Sequence, residues 1–248
     1  MTKLSLQIFV TSVVLFGYVN VYGQFPISVN ATNGFTGWTI TTTSNNTSEN
    51  GNFLGSSNNT IDTGGQSWGL YANSGQTVAM TYVFGATLPV GGYVEIKLSL
   101  GDIDSGGTVG FGLQNSSATN RFETYYIGFD PVNSFKLNDA GGPEDVIGAN
   151  TTFANSSWSN SKFQTIRFTL LPSDTYSLEF NGVPVTNSGL TITASDIDRI
   201  RLFNFNAGSG SSKDQFFNSL VVVPEPGTVA MMILSAAGGL ILWKKRRS

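Results

Sequence analysis

The sequence predicts an all-β protein, an antiparallel β-sandwich flanked by an N-terminal signal helix and a C-terminal transmembrane helix. Three observations carry this. Between residues 24 and 223 the apolar residues recur with period two, as half-buried strands require. Gly, Asn, Asp and Ser separate these segments at frequent intervals, and no stretch of the body carries a helical stripe. Many short strands joined by Gly-rich turns pack as a sandwich or barrel.

The elements follow in order. Met1-Thr2-Lys3 is a small positive start, and Leu4 to Val21 is mostly apolar. Val21-Tyr22-Gly23 offers modest residues for a signal peptidase, so residues 1–23 read as a signal peptide and Gln24 as the first mature residue. Strands are predicted over Thr36–Thr43, Ser67–Ala72, Thr77–Phe84, Tyr93–Leu100, Thr108–Gln114 and Phe122–Phe129. Further strands are predicted over Phe163–Leu171, Thr175–Phe180, Val183–Val185, Ile200–Phe205 and Gln215–Val222. Leu171-Pro172-Ser173-Asp174 places Pro where a type I turn takes it. Asn181-Gly182 is the strongest short hairpin signal in the chain. After the body, Pro224 and Pro226 remove two backbone donors and stop any strand. The span 228–243 is uncharged, and Lys244-Lys245-Arg246-Arg247 follows it. Its apolar run from Val229 to Trp243 rises only ~23 Å as a helix against a hydrocarbon core of ~30 Å, so flanking residues must complete the span. Snorkelling Lys244 and Lys245 are suited to that, and by the positive-inside rule the cluster stays cytoplasmic while the body lies outside.

The tail Pro224-Glu225-Pro226, its hydrophobic span and its terminal basic cluster resemble the PEP-CTERM sorting signal of Gram-negative bacteria. That resemblance implies export, transient docking in the inner membrane and processing by an exosortase-type transpeptidase, ending in the cell envelope or extracellular matrix. It assigns the sorting motif to Pro224, Glu225 and Pro226, and the stop-transfer to Lys244, Lys245, Arg246 and Arg247. The strand–turn–strand–Asn-Gly–strand series of 163–185 resembles concanavalin A-like and laminin G-like jelly rolls. The segments Gly65 to Gly75, Gly110 to Asn115, Arg199 to Asn204 and Asp214 to Asn218 are similar to a recurrent PEP-CTERM group that has no established activity.

Composition limits the chemistry. The chain has no histidine and no cysteine, which removes imidazole bases, His- or Cys-dependent nucleophiles, His-ligated zinc and disulfides. Acidic residues of the body outnumber basic ones roughly two to one, which argues against a nucleic-acid partner. Two-carboxylate glycoside hydrolysis is the enzyme option left, and jelly-roll glucanases carry it on Glu-x-Asp-x-x-Glu strands. No Glu-x-Asp occurs here, and Glu95, Glu123 and Glu179 have no carboxylate two residues on. The expectation is therefore a non-enzymatic protein without an obligatory cofactor.

Asp102 and Asp104, two apart in the Gly-rich loop Gly101–Gly107, are candidate ligands of a structural Ca²⁺, weighed against a plain solvated turn. Asp196-Ile197-Asp198 repeats the spacing directly before a strand and reads as a turn. The jelly-roll resemblance places a structural-calcium aspartate near Asn218, where this chain has the weaker ligand. Candidate carbohydrate platforms are Trp68, Tyr71, Tyr125 and Tyr126, with Trp38, Tyr82 and Trp158 as further rings, weighed against a role as core. Tyr125 and Tyr126 are adjacent, so one of them faces away from the core. Thr39-Ile40-Thr41-Thr42-Thr43 resembles an ice-binding face, though without a repeat. The functional expectation is an exported envelope or matrix protein. The alternative is a carbohydrate-binding jelly roll acting on exopolysaccharide, with a glycan hydrolase as a remote third.

Overall fold

The computed structural model describes residues 25–129, 134–149 and 163–224. The signal segment 1–23, Glu225, Pro226, the span 228–243, the basic cluster and Trp158 lie outside the described residues. Among the described residues fifteen strands run in chain order. They are β1 (Ile27–Val29), β2 (Trp38–Thr42), β3 (Asn50–Gly55), β4 (Ser67–Ala72) and β5 (Thr77–Val83). Then come β6 (Tyr93–Ser99), β7 (Thr108–Gln114), β8 (Asn120–Ile127), β9 (Phe135–Asp139) and β10 (Gly142–Asp145). The last are β11 (Phe163–Leu171), β12 (Thr175–Phe180), β13 (Val183–Pro184), β14 (Arg199–Phe205) and β15 (Gln215–Val223). Helix among the described residues is limited to the 3₁₀ turns Ala31–Asn33 and Ser211–Lys213.

The strands form two antiparallel sheets. The eight-stranded sheet runs β13-β12-β11-β6-β15-β4-β3, with β1 beside the second half of β15. The seven-stranded sheet runs β10-β9-β8-β7-β14-β5-β2. Spatial neighbours are often distant in sequence, as where β14 lies between β5 and β7. The chain thus passes repeatedly from one sheet to the other, as in a jelly roll.

Alternation builds the core. On β11, Ile166, Phe168 and Leu170 are buried, while Thr165, Arg167 and Thr169 are half-buried. Aromatic rings tie the sheets together. Trp38 meets Trp68 edge-on at 5.0 Å, Phe122 meets Phe168 at 5.0 Å, and Phe135 meets Phe180 at 5.1 Å. Such pairs add about 0.5–1.5 kcal/mol beyond area burial. Trp68 also donates from Nε1 to the Gly34 carbonyl at 2.6 Å. One buried amide bridges the two sheets. Asn204 on β14 donates to Leu70 O of the opposite sheet at 3.1 Å.

Asn181 (φ 52°) and Gly182 (φ 76°) are both left-handed, as a type I′ hairpin between β12 and β13 requires. The Pro172 turn departs from type I. Ser173 (φ 62°) and Asp174 (φ 55°) are both left-handed, giving a three-residue loop that lets Leu171 pair with Thr175. β1, β3, β9 and β10 are strands that period-two reading does not mark.

Candidate functional site

The outward positions of the seven-stranded sheet line up in two rows, because each strand's register is fixed by its neighbour. In one row Asn138, Glu123, Gly112, Arg201, Thr81 and Thr39 stand on β9, β8, β7, β14, β5 and β2. In the adjacent row are Lys136, Tyr125, Gly110, Phe203, Ala79 and Thr41. Six strands at ~4.8 Å spacing make each row ~24 Å long. On β7 both row positions are glycine, so no side chain stands between the Glu123–Tyr125 side and the Arg201–Phe203–Phe205 side, and both glycines and Phe203 are buried beneath their neighbours.

The two glycines are not equivalent. A Cβ on Gly110 would stand 2.6 Å from Tyr125 Cα and closer still to the Thr124 carbonyl oxygen, so the backbone of β8 itself fixes this glycine. A Cβ on Gly112 would meet only side chain, with Glu123 Cγ at 3.1 Å and Oε1 at 3.4 Å. Glu123 leans over that space, and its carboxylate accepts from Asn138 Nδ2 at 3.4 Å and from the Asn120 side chain. Burial pushes the Glu123 carboxyl above the ordinary carboxylate range, against the opposing pull of those amides and Arg201. Burial and the Glu123 charge push the Tyr125 phenol up as well.

Across β7, Arg201 lies over the Phe205 ring at 4.9 Å and the Phe203 ring at 5.6 Å. Phe203 and Phe205 are stacked on each other at 4.6 Å. Burial draws the Arg201 guanidinium below its ordinary pKa, partly offset by Glu123. At the β9 edge, Lys136 is ion-paired with Asp145, which also accepts from Ser134 Oγ at 3.1 Å.

The opposite sheet presents a different outer face. Arg167 donates to Glu95 Oε2 through Nε at 2.9 Å and Nη2 at 2.6 Å, and stacks over Tyr93 at 4.6 Å. This pair borders a shallow depression of about 570 Å³. Near the β3 edge, Phe53 lies over Gly55 and Gly69 and against Phe216 at 5.6 Å, so those glycines are already covered.

The residues singled out in sequence therefore scatter. Trp68 and Tyr126 are core residues, 0% and 2% exposed, and present no ring to solvent. Tyr71 is on the outer face of the eight-stranded sheet, its hydroxyl donating to Thr47 O. Tyr125 alone of the four stands on the outer face of the seven-stranded sheet. Thr39 and Thr41 are exposed at the far end of its two rows. Pro224 follows β15 directly.

The two calcium candidates differ in their surroundings: Asp102 Oδ1 is buried with no hydrogen bond to that atom among the described residues, while Asp104 is ion-paired. Asp104 Oδ1 is 2.8 Å from Lys213 Nζ, and a cation would have to displace that ammonium. Asp102 N and Asp104 N donate to Ser212 O and Ala207 O, both at 2.8 Å, so the loop is clamped by backbone pairing. Among the described residues no cluster of three or more Asp, Glu, His or Cys is arranged to hold a metal. Near Asn218 the oxygens do converge, but the Asn218 amide closes the set. Its Nδ2 donates to Ile61 O and Gln66 O, each at 2.8 Å, while Oδ1 accepts from Ala31 N at 2.9 Å. An NH₂ group thus occupies the place a cation would need.

Sequence reasoning missed Arg201, Phe203, Phe205 and the glycine pair. The signal was present as parity. In Arg199 to Phe205 the odd positions are Arg, Arg, Phe and Phe, while Ile200 and Leu202 face the core.

No family model matches the chain, and no curated protein matches it. Solved structures do. A sialidase superposes on 82% of this chain with a TM-score of 0.53 at 10% identity, and the matched part is 19% of the sialidase's length. Cellulose induced protein Cip1 superposes on 79% of this chain with a TM-score of 0.51 at 12% identity, over 96% of its own length. A Bacillus licheniformis β-glucanase covers 80% of this chain and 97% of its own at a TM-score of 0.45 and 12% identity. Identities this low speak to fold alone. The body is an all-β antiparallel sandwich of two sheets with a jelly-roll-like chain path.

Proposed function

We propose that this chain is an exported, non-catalytic protein that binds an exopolysaccharide chain across the outer face of its seven-stranded sheet. The observation that carries this is the arrangement across the glycine positions of β7, with a tyrosine and two amides on one side and a ring-stacked arginine on the other. Glycan recognition asks for that combination. Sugar rings lay their C–H faces on aromatic side chains, while their hydroxyls take planar amides, carboxylates and guanidinium groups. The fold is shared with a sialidase and a cellulose-induced protein, which is compatible with a glycan ligand.

The face favours binding over hydrolysis. Two-carboxylate cleavage needs a partner carboxyl within about 5–10 Å. Among the described residues, Glu123 is the one carboxylate in the two rows, and Asp145 beyond them is held by Lys136. The export half of the reading rests on the residue pattern of the ends. The signal-like segment 1–23 directs export, and Pro224-Glu225-Pro226 with its uncharged span and basic cluster fits an exosortase-type processing step at the inner membrane.

The test is a glycan array probed with the full-length chain and with Tyr125→Ala and Gly112→Leu. The wild type is retained on a polysaccharide class, and both variants lose retention with unchanged circular dichroism. Retention of no glycan, or equal retention of all three proteins, overturns the reading.

A further inference from the structure

Four arginines lie among the described residues, and three are spent on carboxylates. Arg121 Nε is 2.6 Å from Asp196, Arg167 Nη2 is 2.6 Å from Glu95, and Arg199 Nε is 2.8 Å from Asp198. Arg201 is the exception. Among the described residues it makes no ion pair, and no hydrogen bond from its guanidinium is found there. Glu123 acts on it only at Coulombic range, across Gly112.

This is not a side chain left loose in water. Arg201 is half-buried, and its guanidinium lies over Phe205 and Phe203. Stacking on the rings restricts the guanidinium while leaving its edge, with five N–H donors, unspent. An arginine kept to neutralise Glu123 would reach that carboxylate. Glu123 is instead held by Asn138 and Asn120. The arrangement is a donor fork placed in advance for a planar anionic acceptor that the protein itself does not supply.

We propose that the glycan bound on this face is acidic, and that Arg201 recognises the carboxylate of a uronic-acid-type sugar by a two-pronged hydrogen bond. This rests on the glycan-binding reading and specifies its ligand class. Carboxylate matches the fork better than a hydroxyl does, because both oxygens accept at once and the bonds are charge-assisted. Half-burial strengthens them relative to open water. Burial raises the Glu123 carboxyl, and a ligand carboxylate beside it raises it further. Tyr125 then lies beneath the sugar on the far side of β7.

The test uses the full-length chain with polygalacturonate and alginate, each in native form and after reduction of its carboxyls to primary alcohols. Affinity is measured for wild type, Arg201→Gln and Arg201→Lys, with melting temperature as the check on folding. Wild type binds at least one native polymer about tenfold or more tightly than its reduced form. Arg201→Gln erases that preference, and Arg201→Lys keeps part of it, since it retains the charge and loses the fork. Equal affinity for native and reduced polymers overturns the acidic-ligand inference while leaving glycan binding standing. The same holds if Arg201→Gln retains the full preference, or if a sulfated glycan without carboxylates binds best. Absence of binding to either polymer in both forms overturns the inference. If other glycans also fail, the glycan reading falls with it.

Discussion

Replacing Gly110 and Gly112 one at a time by alanine separates what the fold needs from what the face needs. At Gly110 the added methyl would stand 2.6 Å from Tyr125 Cα and 2.7 Å from Tyr125 Cβ, and nearer still to Thr124 O. These are atoms of the paired strand, so relief requires β7 and β8 to part. Overpacking of this kind costs about 1–3 kcal/mol, and contact with backbone places it at the upper end. The smaller entropy of the unfolded alanine chain offsets ~0.4–1 kcal/mol. A net loss of about 2 kcal/mol remains. At roughly 2–4 °C per kcal/mol for a domain of this size, the melting temperature falls by about 4–8 °C. At Gly112 the added methyl meets Glu123 Cγ at 3.1 Å, and that side chain can swing aside. Its net effect stays within ~0.5 kcal/mol, or about 2 °C. Thermal unfolding of both variants, followed by circular dichroism, reads the difference. Equal shifts, or an unchanged Gly110→Ala, would refute the close approach of β8 on which the shape of the face depends.

Three further outcomes are expected. Asn218→Asp keeps the Ala31 and Ser219 N–H donors on one oxygen but points the other at the carbonyls of Ile61 and Gln66, a partly compensated buried charge costing about 3 kcal/mol. Millimolar Ca²⁺, which takes such oxygens, should restore part of the lost melting temperature, while wild type should ignore both Ca²⁺ and chelator. Burial raises the folded pKa of Asp214 to about 6, above its unfolded value of 3.8. The folded state therefore holds the proton more tightly, and stability rises as pH falls through 6 and levels off below 3.8. Asp214→Asn should melt higher than wild type at pH 8 and converge with it at pH 4, and parallel curves across that range would contradict this. Changing Pro224, Glu225 and Pro226 to Ala should leave membrane insertion intact and block processing. Intact-mass analysis of membrane fractions checks this, and identical masses for wild type and mutant would remove the sorting reading.

The strand interiors were legible because one buried face imposes period two. Val94, Ile96 and Leu98 on β6, or Ile166, Phe168 and Leu170 on β11, announce themselves. β10, Gly142–Asp145, could not be read this way, since an edge strand with Pro and two carboxylates buries almost nothing. β3 was hidden for another reason. Its glycines at 51 and 55 look like turn residues, yet they make room for Tyr71 and Phe53. The Pro172 loop was misjudged because proline fixes only its own φ, and the left-handed Ser173 and Asp174 answer to strand pairing on either side. Aromatic identity alone did not reveal the face. Trp68 and Tyr126 have the chemistry of a platform and the parity of the core. Arg201 needed the register of β7, β8 and β14, which pairs strands far apart in the chain.

The most direct measurement is a two-dimensional NMR titration of the isotopically labelled protein with an acidic oligosaccharide such as an oligogalacturonide. The account predicts perturbed amides at Gly110, Gly112, Glu123, Tyr125 and Phe205 and a shifted Arg201 Nε–H, with Glu95, Arg167 and Tyr71 unmoved. Perturbations centred on Arg167 or Tyr71, or a saturating ligand that leaves the β7–β8–β14 face unchanged, would contradict it.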